Sequence, residues 1–502
     1  MGKYIVTIAP PTPNGNLHLG HISGPFLAAD VFARLRRMMG DDVLFVSYSD
    51  DYQDYVALKA IQQNKDKFEL ATHFGNRIEA TLKGIDIDLD IFLKAYQNEH
   101  YTAAIRMLYQ NAVKKGTIQK TTMQVPYSEE DQQFGYEAFA RGICNYCGSH
   151  SDASQCEACA NSPVLEKMEN MVSYLTNKPV QFVEKEREYL QLEKYKEFLQ
   201  QLYTENEVRD YLNIFINHIL NESELDWCID RPGGHGIDLE IDGEHKTIHT
   251  WFSGIAGYLA ASKEFWTQNN AAEKHAYFWK DTATRIVNFL GFDCSFSHAI
   301  VYPSLLSNLE GYTNNFTALT NKFLKLEGGD FSTSRNHAIW VDDILKDYSA
   351  DGVRFHLALI SPEKEIRNFE MLKFTHWYTN FFERGIQRIE SVFEAVTDID
   401  KHITKLQNTT DEVLLNFYKK WSHHGELKHF SINGIASVLQ ELLEYILKLY
   451  ANKEADKIVE ASILYVSLST PIHPTLSNQF MEKYTMKNKV FAHTLFNKSI
   501  VS

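Results

Sequence analysis

The chain reads as an α/β protein: a Rossmann-type parallel sheet, split by a zinc-knuckle insertion and followed by a C-terminal all-α helical bundle. Three observations lead there. Lys3 to Ala9 is a β-branched, apolar run that passes through a turn rich in Pro, Gly and Asn into a helical pattern from about Leu19 to Met39; strand, turn and helix in that order open a parallel sheet. Four of the six cysteines fall together as Cys144, Cys147, Cys156 and Cys159. From Ile366 to Ser502, apolar residues recur at helical spacing with only two prolines, the pattern of a bundle.

With 502 residues, 44% hydrophobic and 23% charged, the chain can bury a sizeable core and divide into several domains of roughly 100–200 residues each. The first half of the sheet domain is expected over 1–115. There a second strand, Asp42 to Ser47, runs into the acidic turn Asp50-Asp51, and helices follow to about Lys114. An insertion is expected over 116–232, with the cysteine-rich loop first and charged helices from about Val164 to Glu222. Apolar segments complete the sheet over 233–319. A connecting region, 320–365, holds the turn Glu327-Gly328-Gly329-Asp330, and the bundle takes 366–502.

No apolar run approaches the ~20 residues of a membrane span, and Met1-Gly2-Lys3-Tyr4-Ile5-Val6 has no apolar leader region. A cytoplasmic protein without a membrane partner is expected. The formal net charge of −15 argues against DNA, since phosphate contacts need Lys and Arg. From Ile366 onward, however, 16 Lys and Arg stand against 15 Asp and Glu, which leaves a local basic face open to the bundle.

The chemistry concentrates in Pro10 to His21. A helix entrance offers unpaired N–H groups and a positive dipole end, both suited to phosphate. Gly20 lets a nucleotide approach the backbone, and His18 and His21, three apart, fall on one face. Two imidazoles donating to phosphate oxygens stabilise the charge that builds when a carboxylate displaces pyrophosphate; the plain alternative is two surface histidines at a helix start. Cys144-x-x-Cys147, eight residues, then Cys156-x-x-Cys159 supplies four thiolates for a closed, structural zinc site, the alternative being thiols kept without metal. Trp251 and Tyr258, seven apart, could line one face of a helix. Beside a carboxylate, such aromatics suit an α-amino acid with an apolar or thioether side chain, although the spacing is equally that of an aromatic core.

On these residues the chain resembles the class I aminoacyl-tRNA synthetases, and within them the methionyl-tRNA synthetase family. His18, Gly20 and His21 match its His-x-Gly-His element, and the acidic turn, the cysteine insertion, His249-Thr250-Trp251-Phe252, Phe296 to Pro303 and Phe331-Ser332-Thr333-Ser334-Arg335 follow in the family order. The resemblance implies that His18 and His21 act on the phosphates, and that Pro11, Thr12, Gly20, Ser332, Ser334 and Arg335 bind ATP, with Mg²⁺. It implies that Pro10, Asp51, Trp251, Tyr258, His298 and Tyr302 hold the amino acid, with Asp51 on its ammonium, and that Cys144, Cys147, Cys156 and Cys159 hold Zn²⁺. The implied reaction joins methionine, or a similar amino acid, to AMP and passes it to the 3′ end of tRNA.

Three departures bear on that reading. The family's Lys-Met-Ser-Lys-Ser is here Asp330-Phe331-Ser332-Thr333-Ser334, without either lysine, so the expectation is either slow activation or another cation, Arg335, Lys325 or Mg²⁺, in their place. Gly254-Ile255 stands where family members usually carry Ala-Pro, and Thr12 where they carry Tyr. The stretch Leu449 to Ala455 lacks the Pro-Trp pair with which the family reads the anticodon. A diverged paralogue that passes its adenylate to an amine or other non-tRNA acceptor is the second reading, and an inactive, regulatory relative the third.

Overall fold

The computed structural model describes residues 2–206, 208–222, 225–331 and 337–486. At its centre five strands run parallel in the order Phe316–Asn321, Arg285–Gly291, Lys3–Ile8, Asp42–Ser49 and Ile91–Lys94. Successive side chains of a strand point to opposite faces, and the first strand shows what that does here. Val6 and Ile8 enter a core shared with Phe32, Phe289 and the bundle, while Ile5 enters another with Leu44, Val46, Ile286 and Tyr258. The sheet is covered on both faces, as parallel sheets require.

The segment between the third and fourth of these strands in sequence carries, besides the hairpin Ile237–Ile241/Glu244–Ile248, two small antiparallel sheets. One joins Asp226–Cys228, Gln181–Gln191, Ile118–Ser128 and Gln133–Phe134; the other joins His150–Ala153, Glu137–Ile143 and Glu169–Ser173 and bears the cysteines. The charged helices expected from Val164 onward are therefore only partly present. Glu169–Ser173 and Gln181–Gln191 are strands, and helices occupy Lys196–Glu205 and Asp210–Asn221. Glu184, Lys185 and Glu186 have ordinary helix propensity, but ten consecutive pairings with Ile118–Tyr127 hold them extended, tertiary pairing overriding local preference.

The C-terminal helices are Met371–Trp377, continuing through a π-helical turn into Arg384–Glu394, then Ile399–Gln407, Glu412–Gly425, Ile432–Asn452, Ala455–Ser469 and Pro474–Lys483. Local chemistry sets several ends. Asp411 and Ser431 accept the first free N–H groups of their helices, and Lys453 ends Ile432–Asn452 in the left-handed conformation. That helix buries Ile435, Leu439, Leu442, Leu443, Ile446 and Leu449, a stripe at three- and four-residue spacing. The bundle is bolted to the sheet domain by Arg354, fully buried, which pairs with Asp30 at 2.6 Å and donates to the carbonyls of Ile85, Asp86, Pro471 and Ile472. Among the described residues no helix is long and apolar enough to cross a membrane.

Candidate active site

The turn after Lys3–Ile8 lies at the carboxyl end of the sheet, where parallel α/β folds place their ligands. His18, still extended, opens the short helix Leu19–His21, and the two imidazoles stack with centroids 3.7 Å apart. The His18 N–H donates to His21 Nδ1 at 3.1 Å, which leaves the proton of a neutral His21 ring on Nε2. Burial, with the His21 ring adding to it, drives His18 down to about 2; burial alone takes His21 to about 4. Both rings are neutral at pH 7 and offer N–H dipoles rather than positive charge.

Phe331 stacks on the ring of His18 at 4.8 Å, and Gly20 is what admits both: a Cβ there would lie 3.0 Å from the imidazole and 3.1 Å from the Phe331 ring. Beyond the second loop the chain returns onto the same segment, with Leu19 N–H donating to Ile339 O and Val341 N–H to Leu17 O. Both ends of the second loop are thus fixed over the two histidines. Ser332, Ser334 and Arg335 lie outside the described residues. Lys325 pairs across the hairpin with Asp330, 3.8 Å away, so this cation meets the carboxylate that has replaced the family's first lysine. Pro11 accepts the N–H of Asp50 and Thr12 that of Asn14; Pro10 and Thr12 are half-buried.

The acidic turn is resolved residue by residue. Asp51 is occupied by its own sheet, accepting from Ser49 Oγ at 2.6 Å and the Tyr96 N–H at 2.8 Å, and burial raises its pKa. Asp50 is the carboxylate that faces the aromatic wall. It accepts from Thr250 Oγ1, its field reaches Tyr48, Tyr101, Tyr258 and Tyr302, and burial pushes it up to about 7. Tyr258 donates to Ile8 O at 3.0 Å and lies 3.4 Å from His298 Nε2, and the His298 ring rests 4.4 Å from that of Tyr302. Trp251 does not share a helix with Tyr258: the helix begins at Gly254. Trp251 stacks instead on His249 at 6.3 Å, and its indole N–H is buried without a protein partner.

Gly254 and Gly257, three apart on that helix, admit two tyrosines. A Cβ at Gly254 would stand 1.5 Å from Tyr302 Oη, and one at Gly257 would stand 2.2 Å from the Tyr48 ring. The Gly for Ala departure is therefore matched by Tyr302, whose hydroxyl fills the space.

Sequence reasoning missed a buried group beside this wall. Glu137 meets His249 Nε2 and, at 3.4 Å, Arg231; burial raises Glu137 to about 7 and, together with the Glu137 charge, lifts nearby Asp54. No local spacing announces it, because 112 residues separate Glu137 from His249.

In the insertion, Gly148 N–H donates to Cys144 O and Ala160 N–H to Cys156 O, two matching knuckles closed by left-handed residues, Gly148 and Ala160. The four thiols fall within 4.8 Å of one another, with Sγ–Sγ separations of 3.9 Å for Cys144–Cys159 and 3.7 Å for Cys147–Cys156. A tetrahedron of ~2.3 Å Zn–S bonds has edges of about 3.8 Å, so the donor set can hold such an ion.

A Rossmann-type sheet with a His-x-Gly-His turn at its carboxyl edge, on which the segment Ile339 to Val341 is hydrogen-bonded, fits a class I tRNA synthetase, and the chain belongs to that family: the family model for tRNA synthetases class I (M) matches residues 4–381. Methionine–tRNA ligases are among its curated relatives. That of Pyrococcus furiosus is 26% identical over 444 residues, covering 82% of this chain and 61% of the relative, and that of Thermoplasma volcanium is 28% identical, covering 82% and 76%. The chain spans about three fifths of the length of the Pyrococcus relatives. The fold is that of the Mycobacterium tuberculosis methionyl-tRNA synthetase solved with methionyl-adenylate, with a TM-score of 0.71 at 17% identity over 96% of this chain and 94% of that one.

Proposed function

We propose that this chain activates methionine with ATP, forming methionyl adenylate and releasing pyrophosphate, and then passes the methionyl group to the 3′-terminal ribose of tRNA. The observation that carries the reading is one arrangement. Two neutral, stacked imidazoles stand at the carboxyl edge of the sheet, and a buried carboxylate faces an aromatic wall on the same edge.

In the reaction, the methionine carboxylate attacks the α-phosphorus of ATP. His18 and His21 act as N–H donors to the phosphate oxygens as charge builds, with no covalent enzyme intermediate. Pro11, Thr12 and Gly20 line the nucleotide, Ser332, Ser334 and Arg335 bind it from the second loop, and Mg²⁺ arriving with ATP would offset phosphate charge. Asp50 receives the ammonium, with Asp51 orienting the turn behind it. Pro10, Trp251, Tyr258, His298 and Tyr302 enclose the thioether, which aromatic faces favour. Cys144, Cys147, Cys156 and Cys159 hold a structural Zn²⁺ in an insertion over about 116–232, between sheet halves at 1–115 and 233–319. The segment 320–365 leads to a tRNA-facing bundle from 366 onward.

For tRNA, Tyr450 takes the place of the missing tryptophan. It lies in the stretch without Pro-Trp, is 40% exposed, and carries the Arg388 guanidinium over its ring at 4.8 Å. Such a pair offers a stacking surface of about 1–3 kcal/mol per base.

ATP–pyrophosphate exchange across a panel of amino acids, followed by acylation of total tRNA, tests the proposal. Exchange with methionine above all others and charging of methionine tRNA are expected. Exchange without charging would give the chain a non-tRNA acceptor, and no exchange with any amino acid would make it a binding protein.

A further inference from the structure

We propose that His423, Glu426 and His429 form a second metal site, for a divalent ion of the zinc class, at the connection that docks the helical bundle onto the parallel sheet. The helix Glu412–Gly425 ends one residue before Glu426, which turns out of it in extended conformation, and Leu427–His429 then makes a single 3₁₀ turn. Glu426 N–H donates to His423 O at 3.3 Å and His429 N–H to Glu426 O at 2.9 Å. Two successive three-residue closures bring positions i, i+3 and i+6 into register. The imidazoles of His423 and His429 stack at 4.2 Å, and one ligand atom from each of the three side chains falls within 4.8 Å of the others.

All three side chains are exposed, so apolar burial does not gather them; the turn does. Among the described residues, their ring nitrogens and the Glu426 carboxylate enter no hydrogen bond or ion pair, and the donors stay available. The turn itself is held firmly. A Cβ on Gly425 would lie 2.8 Å from Leu35, Phe430 packs on Phe32 and Phe289 at 5.0 and 5.8 Å, and Glu363 accepts from Ser431 Oγ and the Ile432 N–H, both at 2.6 Å. Two imidazoles and one carboxylate suit Zn²⁺, Co²⁺, Ni²⁺ or Cu²⁺ over the hard cations Mg²⁺ and Ca²⁺. Three protein ligands leave one position to water. An ion there would cross-link the end of one bundle helix to the turn that inserts Phe430 into the sheet core.

The test uses the full-length chain without a histidine tag, saturated with Zn²⁺, gel-filtered and analysed for bound metal. His423→Gln/His429→Gln and Glu426→Gln are compared with it, and Cys147→Ser serves as control for the thiolate site. We expect one equivalent more in the wild type than in the double-histidine variant, weaker retention in Glu426→Gln, and a Zn²⁺-dependent rise in melting temperature that the double variant lacks. Co²⁺ at this site should add d–d absorption without thiolate charge-transfer bands, and that addition should survive in Cys147→Ser. Equal stoichiometry in wild type and double variant, with circular dichroism showing both folded, would overturn the site. So would an extra equivalent that disappears only in Cys147→Ser.

Discussion

Gly254→Ala is the sharpest probe of the amino-acid pocket, because it installs the residue that family members usually carry there. The added Cβ would lie 1.5 Å from Tyr302 Oη, 1.9 Å from Cζ and 2.6 Å from Cε1, so the ring itself has to leave. Tyr302 is buried at 2% exposure, and its ring rests against His298 at 4.4 Å and Tyr258 at 6.4 Å. Displacing it therefore disturbs the whole wall. Overpacking of this kind costs about 1–3 kcal/mol, and at about 1.4 kcal/mol per tenfold the KM for methionine should rise roughly 5- to 100-fold. The KM for ATP should change little, since no member of the wall touches His18 or His21. Steady-state pyrophosphate exchange measures both, and Gly254→Ala/Tyr302→Leu, which makes room for the Cβ, should recover most of the loss as a coupled pair. Unchanged methionine KM in Gly254→Ala, or equal losses for ATP and methionine, would refute the assignment of Tyr302 to the pocket.

Three further outcomes follow from other groups. With Asp50 held near 7 by burial, only about a tenth of it is ionised at pH 6, so the methionine KM should fall about tenfold between pH 6 and pH 8; Asp50→Asn should abolish that dependence, and a flat wild-type profile would count against Asp50. The sign for stability is opposite. The folded state keeps a proton that the unfolded chain loses near pH 4, so the contribution of Asp50 is fully present below that pH and fades as pH rises through 7. Arg354→Met should cost about 3–5 kcal/mol, because it leaves buried Asp30 with Arg34 as its remaining cation and takes the donor from the carbonyls of Ile85, Asp86, Pro471 and Ile472; the loss is read as a lower urea midpoint, and one under about 1 kcal/mol would show that the pair contributes little. Cys147→Ser should release the zinc of the insertion and expose 137–173 to protease while the parallel sheet stays protected, and unchanged metal content and cleavage would contradict a four-thiolate site.

The parts of this protein that sequence disclosed are those whose physics is local. A strand running into a Gly-containing turn and helix, two Cys-x-x-Cys pairs, and apolar stripes such as Ile435 to Leu449 each announce themselves within a few turns of chain. Where partners are distant, spacing was silent or misleading. Glu184 to Glu186 look helical until the strand Ile118–Ser128 pairs with them. Trp251 and Tyr258 suggest one helix face until the start of the helix at Gly254 separates them. Asp50 and Asp51 are indistinguishable in sequence, yet Ser49 and Tyr96 claim one and Thr250 the other. Glu137, His249 and Arg231 meet only after the insertion has folded back.

The central place of Lys3–Ile8 in the sheet carries a cost in time. Val6 pairs with Phe45 nearby on one side, but on the other with Val287, about 280 residues later. At roughly 5–20 residues synthesised per second, the first strand waits about a quarter of a minute to a minute with one edge unpaired. Throughout that interval the nascent chain presents an apolar strand edge open to pairing with other chains. The same gap separates the histidine turn from half of its own pocket, so the site is born only after the strand Arg285–Gly291 and the residues that follow it have been made.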